Sequence, residues 1–355
     1  MKKTLLGALA SVIALAAYVP AHAQVETEAP PVVEGAQPVT VERIQIHGAS
    51  LVGNLAGNAV DRDALVFLPP SYEKAPNRRY PVVYALHGFF IGAEQWSKEI
   101  HAPQSFAGAF ALGAKEAIVV LPDSKTLHNG SMYSSSVTTG DFENYIARDV
   151  VAYIDAHYRT LPARESRGLV GHSMGGYGAT RIGMKHADVF GSLYVMSPCC
   201  LGARGAPPKE ALESLAKIKS REDLAGQHFM VTATFAVAAA WSPNPNKPPF
   251  FVDLPFEGEE QSEVVAKWAA NAPFAFIDQY IGNLKRYRAI ALDVGDQDGL
   301  RVDTAKLHQI LNAYGIANTF EEYSGTHTSK LGERFQNHVL KFFSDTLCFE
   351  ERCGS

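Results

Sequence analysis

A glycine-rich hexapeptide, Gly171-His172-Ser173-Met174-Gly175-Gly176, is the part of this chain whose residue types and spacing most directly indicate chemistry. It follows an apolar run at residues 168–170 and precedes a helix-like stretch at 177–186. A serine on a sharp turn from strand to helix exposes its hydroxyl, and flanking glycines avoid collisions with the neighbouring strand and helix. We therefore predict that Ser173 is a nucleophile on such a turn. The alternative interpretation is an ordinary glycine-rich surface turn.

A serine hydroxyl becomes a strong nucleophile only when a histidine accepts its proton and an acid fixes the tautomer of that histidine. On folds with this kind of turn, the acid and then the histidine follow the serine along the chain, on loops after later strands. His327, in a loop ahead of the last predicted helix, is the predicted base. Among the 12 histidines, His101 and His128 remain rivals, while His172 is expected to pack within the turn.

Three carboxylates, those of Asp293, Asp296 and Asp298, occur at the end of a predicted strand at 290–294. We predict that Asp298 is the acid, with Asp296 as the runner-up. A calcium-binding loop is another interpretation, but the spacing differs from that of an EF-hand and no glutamate closes the loop. No Cys or His pair has the spacing of metal ligands, so the sequence predicts no metal site.

Acyl transfer also requires backbone donors that face the developing oxyanion. One is predicted to be the N–H of Met174, which directly follows the nucleophile. The second is expected in the loop after the strand at 82–86, where His87-Gly88-Phe89 lies, and we choose the N–H of Phe89. An ordinary turn at the end of a strand is the alternative there.

Strand and helix signals alternate along most of the chain, which predicts an α/β fold with a mostly parallel sheet and helices on both faces. Catalytic groups in such folds collect at the carboxyl ends of the strands. Residues 200–280 break the alternation with prolines among aromatic residues, and we interpret them as a cap insertion. The predicted strands are 39–47, 65–68, 82–86, 118–121, 168–170, 192–196, 290–294 and 319–323, and the predicted helices are 142–157, 177–186, 304–314 and 332–347.

The N-terminus has the features of a secretory signal: two lysines, an apolar run from Leu5 to Val19 and a small-residue cleavage site. We predict a signal peptide at 1–23 with cleavage after Ala23, a flexible Pro-rich leader at 24–38, one domain at 39–347 and a tail at 348–355. The expected location is therefore the periplasm or the medium. No later segment is apolar for long enough to span a membrane.

Composition narrows the function further. The 355 residues are 46% hydrophobic, which suits a large core, and the formal charge of −5 without a basic cluster disfavours nucleic acid as a partner. The four cysteines fit an oxidising compartment. Cys348 and Cys353 are suitably placed to close a small loop, while the state of the adjacent Cys199 and Cys200 stays open.

Three segments in order, Leu68-Pro69-Pro70-Ser71-Tyr72, the stretch from Tyr80 to Gly88 and the hexapeptide at Ser173, resemble the esterase D-like or putative esterase family of α/β-hydrolases. This family includes feruloyl and acetyl-xylan esterases, S-formylglutathione hydrolases, enterobactin-type esterases and antigen 85 mycolyltransferases. The resemblance runs from about residue 39 to 343. It implies an α/β-hydrolase fold, no cofactor, and a nucleophile, acid and base at Ser173, Asp298 and His327. It also implies oxyanion donors at Phe89 and Met174.

Three functions fit these observations. The first is a secreted serine esterase that forms an acyl-enzyme, with a preference for small-acid, aryl or feruloyl-like esters, free or linked to a glycan. The second is transfer of the acyl group to a sugar or another alcohol. The third is a noncatalytic binding protein on a hydrolase scaffold, for which loss of a catalytic position would be expected.

Overall fold

A computed structural model describes residues 27–203, 209–256, 259–351 and 353 of the chain. The predicted signal peptide at 1–23 and the first residues of the predicted leader lie outside the described residues. In the described part, the chain forms one large sheet with helices packed on both faces. This is the layered arrangement that the alternation of strand and helix signals predicts.

Eight strands form the central sheet, in the spatial order β1-β2-β4-β3-β5-β6-β7-β8. The strand β2 is antiparallel to both of its neighbours, and all other neighbours are parallel. The carboxyl ends of β3, β5, β6, β7 and β8 therefore meet at one edge. The strands are β1 Thr40–His47, β2 Asp61–Leu68, β3 Val82–Leu86, β4 Ile118–Pro122, β5 Arg167–His172, β6 Ser192–Met196, β7 Ala289–Gly295 and β8 Thr319–Tyr323.

The strand β3 shows how the sheet is buried on both faces. Val82, Tyr84 and Leu86 join the hydrophobic cluster on one face, while Val83 and Ala85 join the cluster on the other. Successive side chains of a strand point to opposite faces, so an uninterrupted apolar run supplies both cores. The central strands are consequently fixed in place beneath the loops at their carboxyl ends.

Helices cover the sheet and form the cap. Within the described residues, no helix combines the length and the apolar character needed to cross a membrane. Short 3-10 turns connect several elements. The helices are α1 Ala93–Glu99, α2 Ala102–Ala111, α3 Phe142–Asn144, α4 Val151–His157, α5 Met174–Lys185, α6 Lys209–Ala216, α7 Phe229–Trp241, α8 Glu259–Asn271, α9 Ile281–Leu284, α10 Arg301–Ala313, α11 Leu331–Arg334 and α12 Leu340–Thr346.

Two predicted helices differ from a regular α-helix. A π-helical stretch, Tyr145–Val150, joins α3 to α4, and another, Phe335–Val339, joins α11 to α12. In the second stretch, the Gln336 side chain lies against Gly108 of α2, and its amide donates a hydrogen bond to Pro31 O at 3.0 Å. The helical periodicity of the sequence locates both segments but does not show the wider turns.

The predicted cap at residues 200–280 contains α6, α7 and α8 and has a small hydrophobic cluster of its own. Polar contacts attach it to the body of the domain. The indole N–H of Trp241 donates to Ser134 Oγ at 3.1 Å, and the Tyr177 hydroxyl donates to Asn271 O at 2.8 Å. Arg181 of α5 donates to the side chain of Asn271 at 3.1 Å.

Both ends of the described chain lie against the domain. In the predicted leader, Glu28 N–H donates to Ser329 O at 2.8 Å, and Pro30 is buried. Backbone carbonyls of this Pro-rich segment also accept hydrogen bonds from side chains of the domain, and the flexibility of the leader stays a prediction. At the other end, Cys348 and Cys353 form a disulfide.

Candidate active site

Ser173 lies between the end of β5 and the start of α5, at the carboxyl edge of the sheet. Its backbone has φ 58° and ψ −115°, a conformation that residues with a side chain rarely adopt. The Ser173 N–H donates to Met196 O at 3.1 Å, and Ser173 O accepts from the N–H groups of Cys199 and Tyr177. A strained serine held on both sides at the end of a central strand is typical of a functional site.

Two glycines make this turn possible. A Cβ atom on Gly171 would lie 2.0 Å from Gly175 O, and a Cβ atom on Gly175 would lie 2.0 Å from Leu86 O. Both obstacles are backbone atoms that cannot rotate away. The glycines are therefore required by the close approach of β5, α5 and β3, as the sequence analysis predicts.

Asp298 and His327, which the sequence assigns as acid and base, are in direct contact. His327 Nδ1 and Asp298 Oδ2 are 2.8 Å apart. The Asp298 side chain is only 3% exposed, whereas that of His327 is 35% exposed. Burial alone would raise the pKa of Asp298, but the hydrogen bonds from His327 and from Leu300 N–H lower it below its usual value.

This contact fixes the tautomer of His327. An ionised carboxylate only accepts hydrogen bonds, so His327 Nδ1 carries the proton and Nε2 retains its lone pair. An imidazole in this state is ready to accept a proton at Nε2, and the carboxylate stabilises the imidazolium that results.

The other two carboxylates of this segment point elsewhere. Asp296 is exposed, and its Oδ1 accepts from Gly325 N–H at 3.0 Å. Asp293 is completely buried, where Arg334 and the Tyr194 hydroxyl each donate to its Oδ2 at 2.9 Å. The three carboxylates thus point in different directions, and of the three it is Asp298 that has a hydrogen bond with His327.

His172 links the serine turn to the His327 loop. Its Nε2 lies 2.8 Å from His327 O, and the two rings are 4.5 Å apart. Because a carbonyl oxygen only accepts, Nε2 of His172 carries the proton. Burial, with the nearby His327, lowers the pKa of His172 to about 3, so this ring stays neutral beside the base. The packing role predicted for His172 therefore includes a hydrogen bond that sequence reasoning missed.

The two rival histidines lie outside this cluster. His101 precedes α2 with φ 47°, and His128 is fully buried, 6.2 Å from the Phe250 ring of the cap. Burial lowers the pKa of His128 to about 4. Neither histidine has a hydrogen bond with Ser173 or Asp298 within the part of the chain that the structure describes.

The two residues predicted to supply the oxyanion donors lie close to Ser173. Met174 is the first residue of α5, and the first amides of a helix have no acceptor within it. The neighbouring Gly88 lies beside Ser173, since a Cβ atom on Gly88 would be 3.6 Å from Ser173 Cβ. The Phe89 ring and the Met174 sulfur both contact Gly130, where a Cβ atom would lie within 2.8 Å of each. These contacts bring Phe89 and Met174 together next to the serine.

An aromatic cluster adjoins this loop. The Phe89 ring is 4.5 Å from Phe90 and 5.6 Å from Phe229, and the Phe90 and Phe229 rings are 5.3 Å apart. Phe229 begins the cap helix α7 and is 52% exposed. The sequence analysis does not predict a role for Phe229. The pattern that could have indicated it is a pair of large apolar residues, Phe229-Met230, at the start of a helix.

Three aromatic side chains of the cap hold it together or attach it to the domain. Trp241 is buried against Tyr177, and Phe250 is buried against Phe235. The Trp268 indole N–H donates to Ser242 Oγ at 2.9 Å. Burial of these rings stabilises the cap and its contact with the domain.

No group of three or more His, Cys, Asp or Glu side chains in the described ranges is arranged to hold a metal ion. The carboxyl edge of the sheet carries a strained serine and a histidine bonded to a buried carboxylate, with Phe89 and Met174 close to the serine. These are the groups required for attack on a carbonyl carbon and stabilisation of the resulting oxyanion.

Comparisons with known proteins identify the family of this chain and its fold. The profile of a family described as putative esterase matches residues 59–340. An esterase of Mycobacterium tuberculosis is 33% identical over 131 residues, and an endo-1,4-beta-xylanase/feruloyl esterase of Xylanibacter ruminicola is 29% identical over 134 residues. Each match covers 36% of this chain, but only 27% and 18% of those relatives, respectively.

Solved structures share the whole architecture. A ferulic acid esterase aligns with a TM-score of 0.60 and 22% identity, over 87% of this chain and 99% of its own. An S-formylglutathione hydrolase from Staphylococcus aureus aligns with a TM-score of 0.57 and 14% identity, over 86% and 99%. These similarities show that the fold is that of an α/β-hydrolase, as predicted.

Proposed function

The chain belongs to the putative esterase family, and we propose that it hydrolyses carboxylic esters through a Ser173 acyl-enzyme. The observation that carries the proposal is the contact between His327 and the buried Asp298, beside a serine held in a strained turn. His172, the residue before Ser173, has its Nε2 2.8 Å from His327 O. This contact keeps the loop of the base next to the nucleophile.

The proposed reaction has two halves. Ser173 Oγ attacks the ester carbonyl and transfers its proton to His327 Nε2, while Asp298 stabilises the imidazolium. The N–H groups of Phe89 and Met174 donate to the oxyanion. Collapse of the tetrahedral intermediate expels the alcohol, which takes the proton from His327. Water then attacks the acyl-enzyme with His327 again acting as base, which releases the acid and restores the serine.

We further propose that the acid part of the ester is small or aromatic, as in feruloyl-like esters. Support comes from the aromatic cluster of Phe89, Phe90 and Phe229, which adjoins the proposed oxyanion site. Aromatic rings favour edge-to-face or offset contact with another ring. Feruloyl esterases among the relatives and the solved structures add to this support.

We also propose that the protein is exported to the periplasm or the medium. Residues 1–23 have the pattern of a cleaved signal peptide, and the disulfide between Cys348 and Cys353 suits an oxidising compartment. N-terminal sequencing of the mature protein tests this proposal. A start near Gln24 is expected, and an uncleaved chain would contradict it.

The function is tested by hydrolysis of p-nitrophenyl acetate and methyl ferulate by the purified protein and by Ser173→Ala. The proposal predicts turnover that falls by at least ~10³ in the variant with an unchanged fold. A series with an added alcohol distinguishes hydrolysis from acyl transfer. Formation of mostly the new ester would mean that the protein is an acyltransferase and not a hydrolase. Absence of any acyl-enzyme chemistry would favour a noncatalytic binding protein.

A further inference from the structure

The Phe89 amide lies within three consecutive peptide groups that are each held by a hydrogen bond. The Tyr133 hydroxyl donates to His87 O at 3.1 Å, His87 Nδ1 lies 2.8 Å from Gly88 O, and Phe90 N–H donates to Asn129 O at 2.9 Å. Phe90 also has φ 72°, so the backbone turns sharply after Phe89. This loop is therefore fixed on both sides of the Phe89 N–H.

The tautomer of His87 follows from its two partners. Ser124 N–H donates to His87 Nε2 at 2.8 Å, so Nε2 carries no proton. The proton is then on Nδ1, which donates to Gly88 O. His87 is completely buried, and this burial lowers its pKa and keeps the ring neutral. A neutral ring with one donor and one acceptor satisfies both contacts at once.

The hydrogen bond to Gly88 O determines where the Phe89 N–H points. In a trans peptide group the C=O and the following N–H point in opposite directions. Holding the Gly88 carbonyl toward the buried His87 ring therefore turns the Phe89 N–H the opposite way. Gly88 lies beside Ser173, so rotation of this one peptide group would remove the donor from the site.

We infer that His87 is a positioning residue that orients the Phe89 N–H toward the oxyanion by donating from Nδ1 to Gly88 O. The inference rests on the proposed serine esterase function. His87 therefore affects the rate of the reaction, and not only folding, although it does not contact the substrate. Ser124, Asn129 and Tyr133, from one loop after β4, supply the supporting contacts.

A matched pair of variants separates this role from simple packing. In His87→Asn the side-chain NH₂ lies near the former Nδ1 and retains a donor to Gly88 O, but it loses the acceptor for Ser124 N–H. In His87→Gln the amide oxygen lies near the former Nε2 and retains that acceptor, but the donor to Gly88 O is lost. Each variant loses one hydrogen bond, so similar thermal midpoints are expected.

The two variants and the wild type are compared in kcat and KM for p-nitrophenyl acetate and in the inhibition constant of a trifluoromethyl ketone, which forms a tetrahedral adduct with serine. We expect kcat of His87→Gln to fall ~10²-fold with KM within ~3-fold, the loss typical of one oxyanion donor. His87→Asn is expected to retain kcat within ~5-fold. The ketone should bind His87→Gln more weakly, in proportion to the loss in kcat/KM.

Equal kcat values in the two folded variants would overturn the inference, and so would a loss confined to thermal stability. If His87→Gln does not fold, His87→Asn carries the test alone: it retains the donor to Gly88 O, and a kcat reduced by ~10²-fold in the folded variant would overturn the inference. A wild-type protein without ester turnover, identical to Ser173→Ala, would contradict the proposed function itself, and the inference would fall with it.

Discussion

Replacement of Asp298 by asparagine is expected to abolish most activity without disturbing the fold. In the wild type, Asp298 Oδ1 accepts from Leu300 N–H at 2.8 Å, while Oδ2 accepts from His327 Nδ1. An asparagine keeps the first contact by placing its oxygen toward Leu300. Its NH₂ group then faces His327 Nδ1, which becomes the acceptor, and the histidine proton moves to Nε2. His327 in that tautomer cannot take the proton of Ser173.

The expected loss for Asp298→Asn is ~10⁴-fold in kcat, the size found for a wrong histidine tautomer in other serine triads. This factor corresponds to about 5.5 kcal/mol of transition-state stabilisation. Asp296→Asn is the matched control, because the exposed Asp296 accepts from Gly325 N–H, and an amide oxygen accepts equally well. We expect Asp296→Asn to retain kcat within ~3-fold.

Initial rates on p-nitrophenyl acetate, with circular dichroism and thermal unfolding of each variant, measure this difference. A folded Asp298→Asn with near wild-type kcat, or a greater loss in Asp296→Asn, would refute the assignment of Asp298 as the acid. The second result would move the acid to Asp296.

Three other changes test separate parts of the account. Gly175→Ala places a Cβ atom 2.0 Å from Leu86 O and should lower the free energy of unfolding by about 3 kcal/mol. Gly282→Ala should not, because among the described residues a Cβ atom there meets nothing within 4 Å beyond its own stretch of chain. Equal thermal midpoints of the two variants would contradict the steric argument. Phe229→Ala should lower kcat/KM for methyl ferulate by ~10-fold and kcat/KM for p-nitrophenyl acetate by less than ~2-fold. An equal loss on both esters would show that Phe229 does not recognise the acid part of the ester. Cys353→Ser removes the disulfide to Cys348 and should lower the free energy of unfolding by about 2 kcal/mol while kcat/KM stays unchanged. Thermal unfolding and ester turnover measure the two effects, and an unaltered thermal midpoint would contradict the prediction.

The central sheet follows closely from local pattern. The strands Val82–Leu86, Ser192–Met196 and Thr319–Tyr323 have the predicted bounds. The first is a continuous apolar run, and the second is apolar after Ser192, as expected for strands that a parallel sheet buries on both faces. Glycines at 171 and 175 likewise indicate the tight serine turn, because only a residue without a side chain fits there.

Features that depend on contacts distant in sequence could not be predicted. Asp296 and Asp298 are of the same type and both follow the end of β7 within three residues, and the path of the loop buries Asp298 and exposes Asp296. The contacts of His87 with Gly88 and Ser124 depend on the neighbouring strands β3 and β4. The composition of the leader indicates flexibility. It does not show that Pro30 O and Pro31 O accept hydrogen bonds from Gln104 of α2 and from Gln336 of the π-helical stretch Phe335–Val339.

The most direct test of the central claim is covalent labelling of the purified protein with a fluorophosphonate, followed by intact-mass and peptide mass spectrometry. The account predicts one adduct per chain, located on Ser173, which abolishes ester turnover and is absent from Ser173→Ala. An adduct on another residue, or turnover and labelling that persist in Ser173→Ala, would contradict it.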